Sequence, residues 1–272
     1  MSFRRVVVAM GAPGAVAVTT AVDLARALEA ELVGLFVEDV ELFDLAALPF
    51  AGEVGFPSAA RRALDVAALE RALRAQAGRL RQDLTARLAG VSTKWTFEVV
   101  RGRVAVALAA TAGGQDLVVL PLPLASRGRP VTRVQVARAY ERLRAPLLLV
   151  DESARQRHAI GVIAPADIAP ASIVDVLRGL APYDGRAVRF AAIGPVAGWE
   201  AWQAAMSDLL AAEGRGGRFR KIAAPEPGEL RRMLGDEARG VVVVLVEGPS
   251  AREAVIEVAT IPLLLLPSFV AE

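Results

Sequence analysis

Short apolar runs alternate with longer stretches of helical periodicity along the first 150 residues of the chain. Runs bounded by charged or turn residues predict five strands, at about 5–10, 32–37, 94–100, 116–120 and 145–150. Apolar positions three and four apart predict four intervening helices, at about 15–30, 58–90, 104–112 and 131–143. Ser58 is the predicted N-cap of the second helix, and Gly90 ends it. Strands and helices in alternation indicate a parallel sheet with helices on both faces.

The same pattern restarts after a charged, aperiodic linker at 151–157. It predicts five more strands, at 158–163, 187–193, 218–223, 241–246 and 262–266, and four helices, at 171–180, 199–212, 229–238 and 250–259. Both halves close with a helix end, a proline and an aliphatic strand, over 142–150 and 257–265, which we interpret as an internal duplication. The sequence therefore predicts two α/β domains in tandem, 1–151 and a shorter, diverged 157–272, each a doubly wound parallel five-stranded sheet.

The connection at 40–57, after the second predicted strand, is unusually apolar. Its large apolar residues show neither helical nor strand periodicity and are Leu42, Phe43, Leu45, Leu48, Phe50 and Phe56. Apolar connections of this length normally cover something, because exposing so many apolar side chains is unfavourable. We therefore predict that this segment covers an apolar crevice, or docks on a partner, where the second strand ends.

Composition narrows the class of protein. A chain of 272 residues that is 54% hydrophobic excludes a disordered protein, and no apolar run approaches the roughly 18 residues of a membrane span. The first apolar run is too short for a signal peptide. The absence of cysteine excludes disulfides and thiolate metal sites and fits a reducing compartment, so we predict a cytoplasmic protein.

Charge and chemistry-bearing residues argue against nucleic-acid binding and against catalysis. The net charge is +2, and the chain has no clustered basic stripe and no nucleic-acid-binding motif. His158 is the only histidine, which excludes a histidine-based zinc cluster and leaves a Ser-His-Asp triad with a single candidate base. Trp199 and Trp202 are interpreted as core or interface anchors. We predict a protein that is not an enzyme, with weak ATP hydrolysis as the alternative.

An acidic group surrounds the start of the apolar connection and consists of Glu38, Asp39, Glu41 and Asp44. No calcium-loop pattern of alternating aspartates followed by glycine occurs there. We therefore predict that these carboxylates cap a helix or pair with arginines and that they hold no metal.

Five segments of the first half match the motifs of a known family: VVVA at 6–9, DLARALEAEL at 23–32, VVRG at 99–102, DLVVL at 116–120 and APLLLV at 145–150. Through these segments the first half resembles the universal stress protein family. In the second half the resemblance rests on element order and the final strand. It implies a Rossmann-like fold with the topology of adenine-nucleotide hydrolases, a stress-response role, and two halves that associate as a pseudo-dimer through their last strands. A homodimer of the whole chain is also compatible with it.

The chain departs from the family where ATP-binding members hold phosphate. Those members carry an aspartate at the end of the first strand and a glycine-rich run after the fourth, because glycines let backbone N–H groups approach phosphates. Here Met10 takes the aspartate position, and Pro121 and Leu124 stand where the glycine pair belongs. Gly11 and Gly14 satisfy only a turn. We therefore predict that family-type ATP binding has been lost and that there is no resident cofactor.

A loop rich in arginine leaves a nucleotide-binding alternative open. Arg127 and Arg129, beside Ser126, follow the fourth strand and could hold a phosphate bidentately, or could simply be solvated. A flavin or redox partner rests on fold analogy alone. The candidate ligand-binding residues at this sheet edge are Met10, Gly11, Val37, Glu38, Leu45, Leu48, Phe50, Pro121, Pro123, Ser126, Arg127 and Arg129. Their predicted ligand is an unidentified small molecule or protein partner.

Overall fold

The structure is a computed structural model of the full chain. It describes residues 3–11, 15–48, 52–54, 61–63, 65–122, 125–126, 129–130, 143–151, 159–165, 169–178, 187–193, 198–222, 229, 240–244 and 263–265. The predicted helices at 131–143, 229–238 and 250–259 lie almost wholly outside these residues, as do the linker and His158.

The first half contains the five predicted strands and three of its predicted helices. Its elements are β1 (Arg5–Met10), α1 (Ala15–Ala27), β2 (Glu31–Asp39), α2 (Val40–Ala46), β3 (Gly52–Val54), β4 (Arg61–Ala63), α3 (Val66–Leu88), β5 (Trp95–Gly102), α4 (Val104–Thr111), β6 (Asp116–Leu122), β7 (Ala125–Ser126), β8 (Arg129–Pro130) and β9 (Leu147–Asp151). Continuous valine and leucine runs make the central strands, because both faces of each strand are buried by helices.

The second half repeats this arrangement. Its elements are β10 (Ala159–Pro165), the helix Pro170–Arg178, β11 (Ala187–Ile193), the helix Trp199–Ala212, β12 (Gly216–Ile222), β13 (Gly240–Val244) and β14 (Leu263–Leu265). In each half the spatial order of the five long strands is fifth, fourth, first, second, third, and all neighbours within a half are parallel. The shared order supports the internal duplication.

The two halves form one sheet where the sequence predicts two. The last strands β9 and β14 pair antiparallel, which joins both sets of five strands into a continuous ten-stranded sheet. Leu148 lies opposite Leu264, and Leu147 and Leu149 lie opposite Leu265 and Leu263, so the register is symmetric about the central pair. Both central leucines are fully buried. The aliphatic final strand of each half is therefore buried by pairing with the final strand of the other half.

Segment 40–57 and the start of the long helix differ from the prediction. Residues 40–46 form the short helix α2, because Asp39 caps it by accepting a hydrogen bond of 3.0 Å from the Glu41 N–H. Strands β3 and β4 then form a small antiparallel sheet. Helix α3 starts at Val66 and not after Ser58, because Asp65 accepts hydrogen bonds from the first-turn N–H groups. Gly90, at φ 82°, follows the helix end as predicted.

Candidate functional site

The candidate site lies where the strands of the first half end. All five of its long strands run parallel, so their carboxyl ends meet at one edge of the sheet. Met10 pairs in register with Phe36, and Pro121 pairs with Val150. Met10 and Pro121 are both buried. The centre of the edge is therefore lined by apolar residues at the two positions where the family resemblance leads us to expect aspartate and glycine.

Gly11 and Val37 complete this central part of the edge. Gly11 directly follows Met10 and is half-buried, and a methyl group added at its Cα would meet no atom within 4 Å. Val37 is likewise half-buried, two residues before the end of β2. Because Gly11 has open space around it, a ligand could approach the backbone there without moving a side chain.

A charged cluster stands beside this apolar centre, at the ends of β2 and β5. Glu38 is 8% exposed and lies in register with Arg101, whose Nε donates a hydrogen bond of 2.9 Å to Glu38 Oε2. The same guanidinium donates to Glu70 Oε1 at 3.2 Å, from helix α3, and lies 4.2 Å from the centre of the Phe43 ring. Arg101 therefore ties α2, α3 and the sheet together.

Three of the four acidic residues of the α2 region cap a helix or pair with an arginine, as the sequence predicts. Glu38 pairs with Arg101, Asp39 caps α2, and Glu41 pairs with Arg103 at 3.4 Å. Within the described part of the chain, no group of three histidine, cysteine or acidic residues could hold a metal ion. The Glu38 carboxylate is therefore neutralised by its own chain, and it is not an open charge that awaits a cation.

Helix α2 packs through one side and exposes leucines on the other. Phe43 contacts the hydrophobic core and Ala46 is buried. Leu45 is 50% exposed and Leu48, in the turn that follows, is 41% exposed. The helical turn that packs the half-buried Phe43 against the core directs Leu45 and Leu48 outward, so the predicted cover over a crevice, or contact with a partner, stays a prediction for these two residues. Phe50 lies outside the described residues.

The arginine loop after β6 forms a short hairpin. Ala125 pairs antiparallel with Pro130, and Ser126 with Arg129. Pro123 and Arg127 lie outside the described residues. The structure brings the predicted apolar residues Met10 and Pro121 to one edge, together with Glu38, but it adds no backbone feature that resembles a glycine-rich phosphate loop within the described residues.

Sequence reasoning missed the two most connected residues of the site, Arg101 and Glu70. Their contacts depend on which elements become neighbours in the fold. Arg101 meets Glu38 only because β2 and β5 are adjacent strands, and it meets Glu70 although the two are 31 residues apart in sequence. One signal was present, since an arginine precedes the Gly102 that ends β5, at the edge where ligands of such folds bind. An alternating strand pattern places Arg101 on the same face as Trp95 and Phe97.

This geometry defines a class of protein: a doubly wound α/β fold with two five-stranded parallel units joined through their last strands. The more particular finding is that the chain has a universal-stress-protein-like fold. A universal stress protein from Archaeoglobus fulgidus DSM 4304 superposes with a TM-score of 0.66 at 11% identity, over 98% of this chain and 97% of that one. No protein-family model and no curated protein matches the sequence.

Two further solved structures share the fold. A putative universal stress protein from Pseudomonas aeruginosa UCBPP-PA14 has a TM-score of 0.56 at 13% identity, over 97% of this chain and 93% of that one. The cytoplasmic domain of a prokaryotic cation chloride cotransporter has a TM-score of 0.51 at 11% identity, over 99% and 97% of the two chains. In the described residues, no helix combines the length and apolarity that crossing a membrane requires.

Proposed function

We propose that the chain is a non-enzymatic, stress-related regulatory binding protein of the cytoplasm that has lost family-type ATP binding. Its two halves act as an internal pseudo-dimer. Its ligand is a protein partner or an apolar small molecule that covers the outer side of α2. One observation carries this proposal: Leu45 and Leu48 present large apolar surface next to the edge where ligands of such folds bind.

The neighbouring residues support a binding role. Phe43 is held on the inner side of α2 by the core and by the Arg101 guanidinium, so α2 is anchored to the sheet. Exposed side chains on an anchored helix lose little freedom when a partner covers them, which favours binding. Met10 and Pro121 add an apolar floor that suits an apolar group better than a triphosphate.

The second candidate function is adenine-nucleotide binding through the arginine loop. The observation that favours it is the Ala125–Ser126 and Arg129–Pro130 hairpin, which directly follows β6 as the phosphate loop does in ATP-binding relatives of the family. Nucleotide binding and weak ATP hydrolysis would then replace the apolar ligand. A titration with ATP distinguishes the two functions.

The outer side of α2 is tested with an apolar fluorescent probe, anilinonaphthalene sulfonate. We expect the Leu45→Asp/Leu48→Asp double variant to lower probe fluorescence several-fold, because the charges remove the apolar surface that the probe covers. Val106→Asp is the matched control, since Val106 is also 50% exposed but lies on α4. Circular dichroism and urea midpoints should be the same in all three proteins. Equal probe fluorescence in wild type and double variant, or an equal loss in the control, would contradict the proposed surface.

A further inference from the structure

The edge strand of the second half, β12, carries exposed arginines. Among the strands that the structure describes, β12 forms one edge of the sheet and pairs only with β11. Arg218 and Arg220 are exposed on β12, and they lie on the same face because side chains two residues apart along a strand share a face. Neither arginine forms an ion pair within the described part of the chain.

The arginines on this face are adjacent to each other. Arg218 lies in register with Arg189 of β11, so two positive side chains stand side by side on neighbouring strands. Arg189 is half-buried and has a contact of its own within the chain, so the charges that face a partner at this edge are those of Arg218 and Arg220.

The opposite face of β12 packs Phe219 against the helix Trp199–Ala212 and also carries the exposed Lys221, whose Nζ lies 5.2 Å from the centre of the Trp199 ring. Phe219 stacks on Phe190 with ring centres 5.0 Å apart and contacts Trp202 edge-on at 6.1 Å. Phe219 remains half-buried, so part of its ring is open at the sheet edge. A partner strand would therefore meet two arginines on one face, and an aromatic ring followed by a lysine on the other.

We propose that β12 binds an acidic segment of a partner protein as an added strand. The segment carries acidic residues at alternate positions, beside Arg218 and Arg220, with an apolar residue between them beside Phe219. Successive acidic residues then stand about 6.6 Å apart, as the two arginines do, since a strand rises about 3.3 Å per residue. No described strand pairs with the outer side of β12, so the backbone groups there would supply the hydrogen bonds that fix the register.

The same arginines could instead protect the sheet edge from aggregation, and that role leads to a different expected result. Charged side chains on an edge strand also prevent edge-to-edge aggregation, and in that role they bind nothing. Added-strand binding instead requires an alternating acidic partner with free amide groups. The two roles are therefore separated by the sequence and by the backbone chemistry of a peptide.

The test is fluorescence anisotropy of the full chain with a labelled peptide that alternates glutamate and valine. We expect saturable binding that weakens about tenfold in Arg218→Glu/Arg220→Glu and stays unchanged in Arg79→Glu/Arg81→Glu, two exposed arginines of α3. A fully N-methylated peptide of the same sequence should not bind, because it cannot donate ladder hydrogen bonds.

Three results would overturn this proposal. Absence of binding at millimolar peptide would leave the arginines with the protective role only. Equal binding of the N-methylated peptide would reduce the surface to nonspecific charge attraction. Displacement of the peptide by oligothymidylate at a lower concentration than by unlabelled peptide would assign the edge to nucleic acid, whose single strands bind basic grooves with aromatic platforms.

Discussion

Replacing Leu264 by alanine should lower the free energy of unfolding by about 2–5 kcal/mol, as should replacing Leu148. Each side chain is fully buried at the centre of the β9–β14 pairing that joins the halves. Removing either therefore leaves a cavity at the one place where the ten-stranded sheet changes from parallel to antiparallel. Urea unfolding followed by tryptophan fluorescence measures the loss.

The exposed Leu45 supplies the matched control, because the same leucine-to-alanine change there should alter the unfolding free energy by no more than about 0.5 kcal/mol. The Leu148→Ala/Leu264→Ala double variant should be non-additive by at least about 0.5 kcal/mol, since the two residues are direct cross-strand neighbours. Strict additivity, or a loss below about 1 kcal/mol for either single variant, would show that the halves are not joined by this register.

A second large effect is expected at the ion pair between Arg5 and Asp116. These residues begin β1 and β6, at the end of the strands that lies away from the candidate site. Arg5 Nε and a terminal guanidinium nitrogen bind Asp116 Oδ1 and Oδ2 at 3.0 and 2.6 Å. The Gly113 N–H donates to the same carboxylate at 2.7 Å, and Arg5 also donates to the Thr111 carbonyl. These contacts fasten β1 to β6 in register and close the turn that precedes β6.

Asp116→Asn should therefore cost about 2–3 kcal/mol of unfolding free energy, because it leaves the Arg5 charge without its bidentate partner. Asp116 is only 4% exposed, whereas Asp83 on α3 is exposed and is the control for the same substitution. Differential scanning calorimetry of both variants at pH 7 gives the comparison. An Asp116→Asn protein as stable as the Asp83→Asn protein would contradict the structural role of the pair.

The same carboxylate predicts a dependence of stability on pH. Burial on its own would raise the pKa of Asp116, but hydrogen bonds from Arg5 and the Gly113 N–H, with the charges of Arg5 and Arg4, hold the pKa below its ordinary 3.8. A carboxyl group whose pKa is lowered by folding stabilises the folded state above the unfolded pKa. That contribution is lost as pH falls from about 4 through the lower folded pKa. Asp116→Asn should remove this part of the acid sensitivity.

The strands and most helices of this fold could be predicted because apolar periodicity reports burial directly. Ten long strands occur within a few residues of their predicted positions, and 199–212 is a helix as predicted. Helix α2 was missed because seven residues give fewer than two full periods, although Asp39 followed by Glu41 resembles a helix start. The start of α3 could not be fixed from sequence, because both Ser58 and Asp65 are suitable N-cap residues and only the folded backbone shows that Asp65 caps the helix.

The site was harder to predict than the fold. Local motifs identified what the edge lacks, since Met10 and Pro121 can be recognised by position alone. They could not show that Arg101 neutralises Glu38, or that Leu45 and Leu48 face outward, because both depend on which elements become neighbours. The joining of the halves through their last strands was implied by the family resemblance alone, because nothing in an aliphatic strand such as β14 shows by itself whether a helix or another strand will cover its edge.

The proposed loss of ATP binding is tested by thermal unfolding of the protein with increasing ATP and Mg²⁺. A ligand at one hundred times its dissociation constant stabilises the folded state by about 2.7 kcal/mol. For a chain of this size that raises the melting temperature by several degrees. We predict no rise at millimolar ATP beyond that produced by equal concentrations of inorganic triphosphate. A saturable rise specific to ATP, lost when Arg129 is replaced by alanine, would contradict the account and establish the nucleotide-binding alternative.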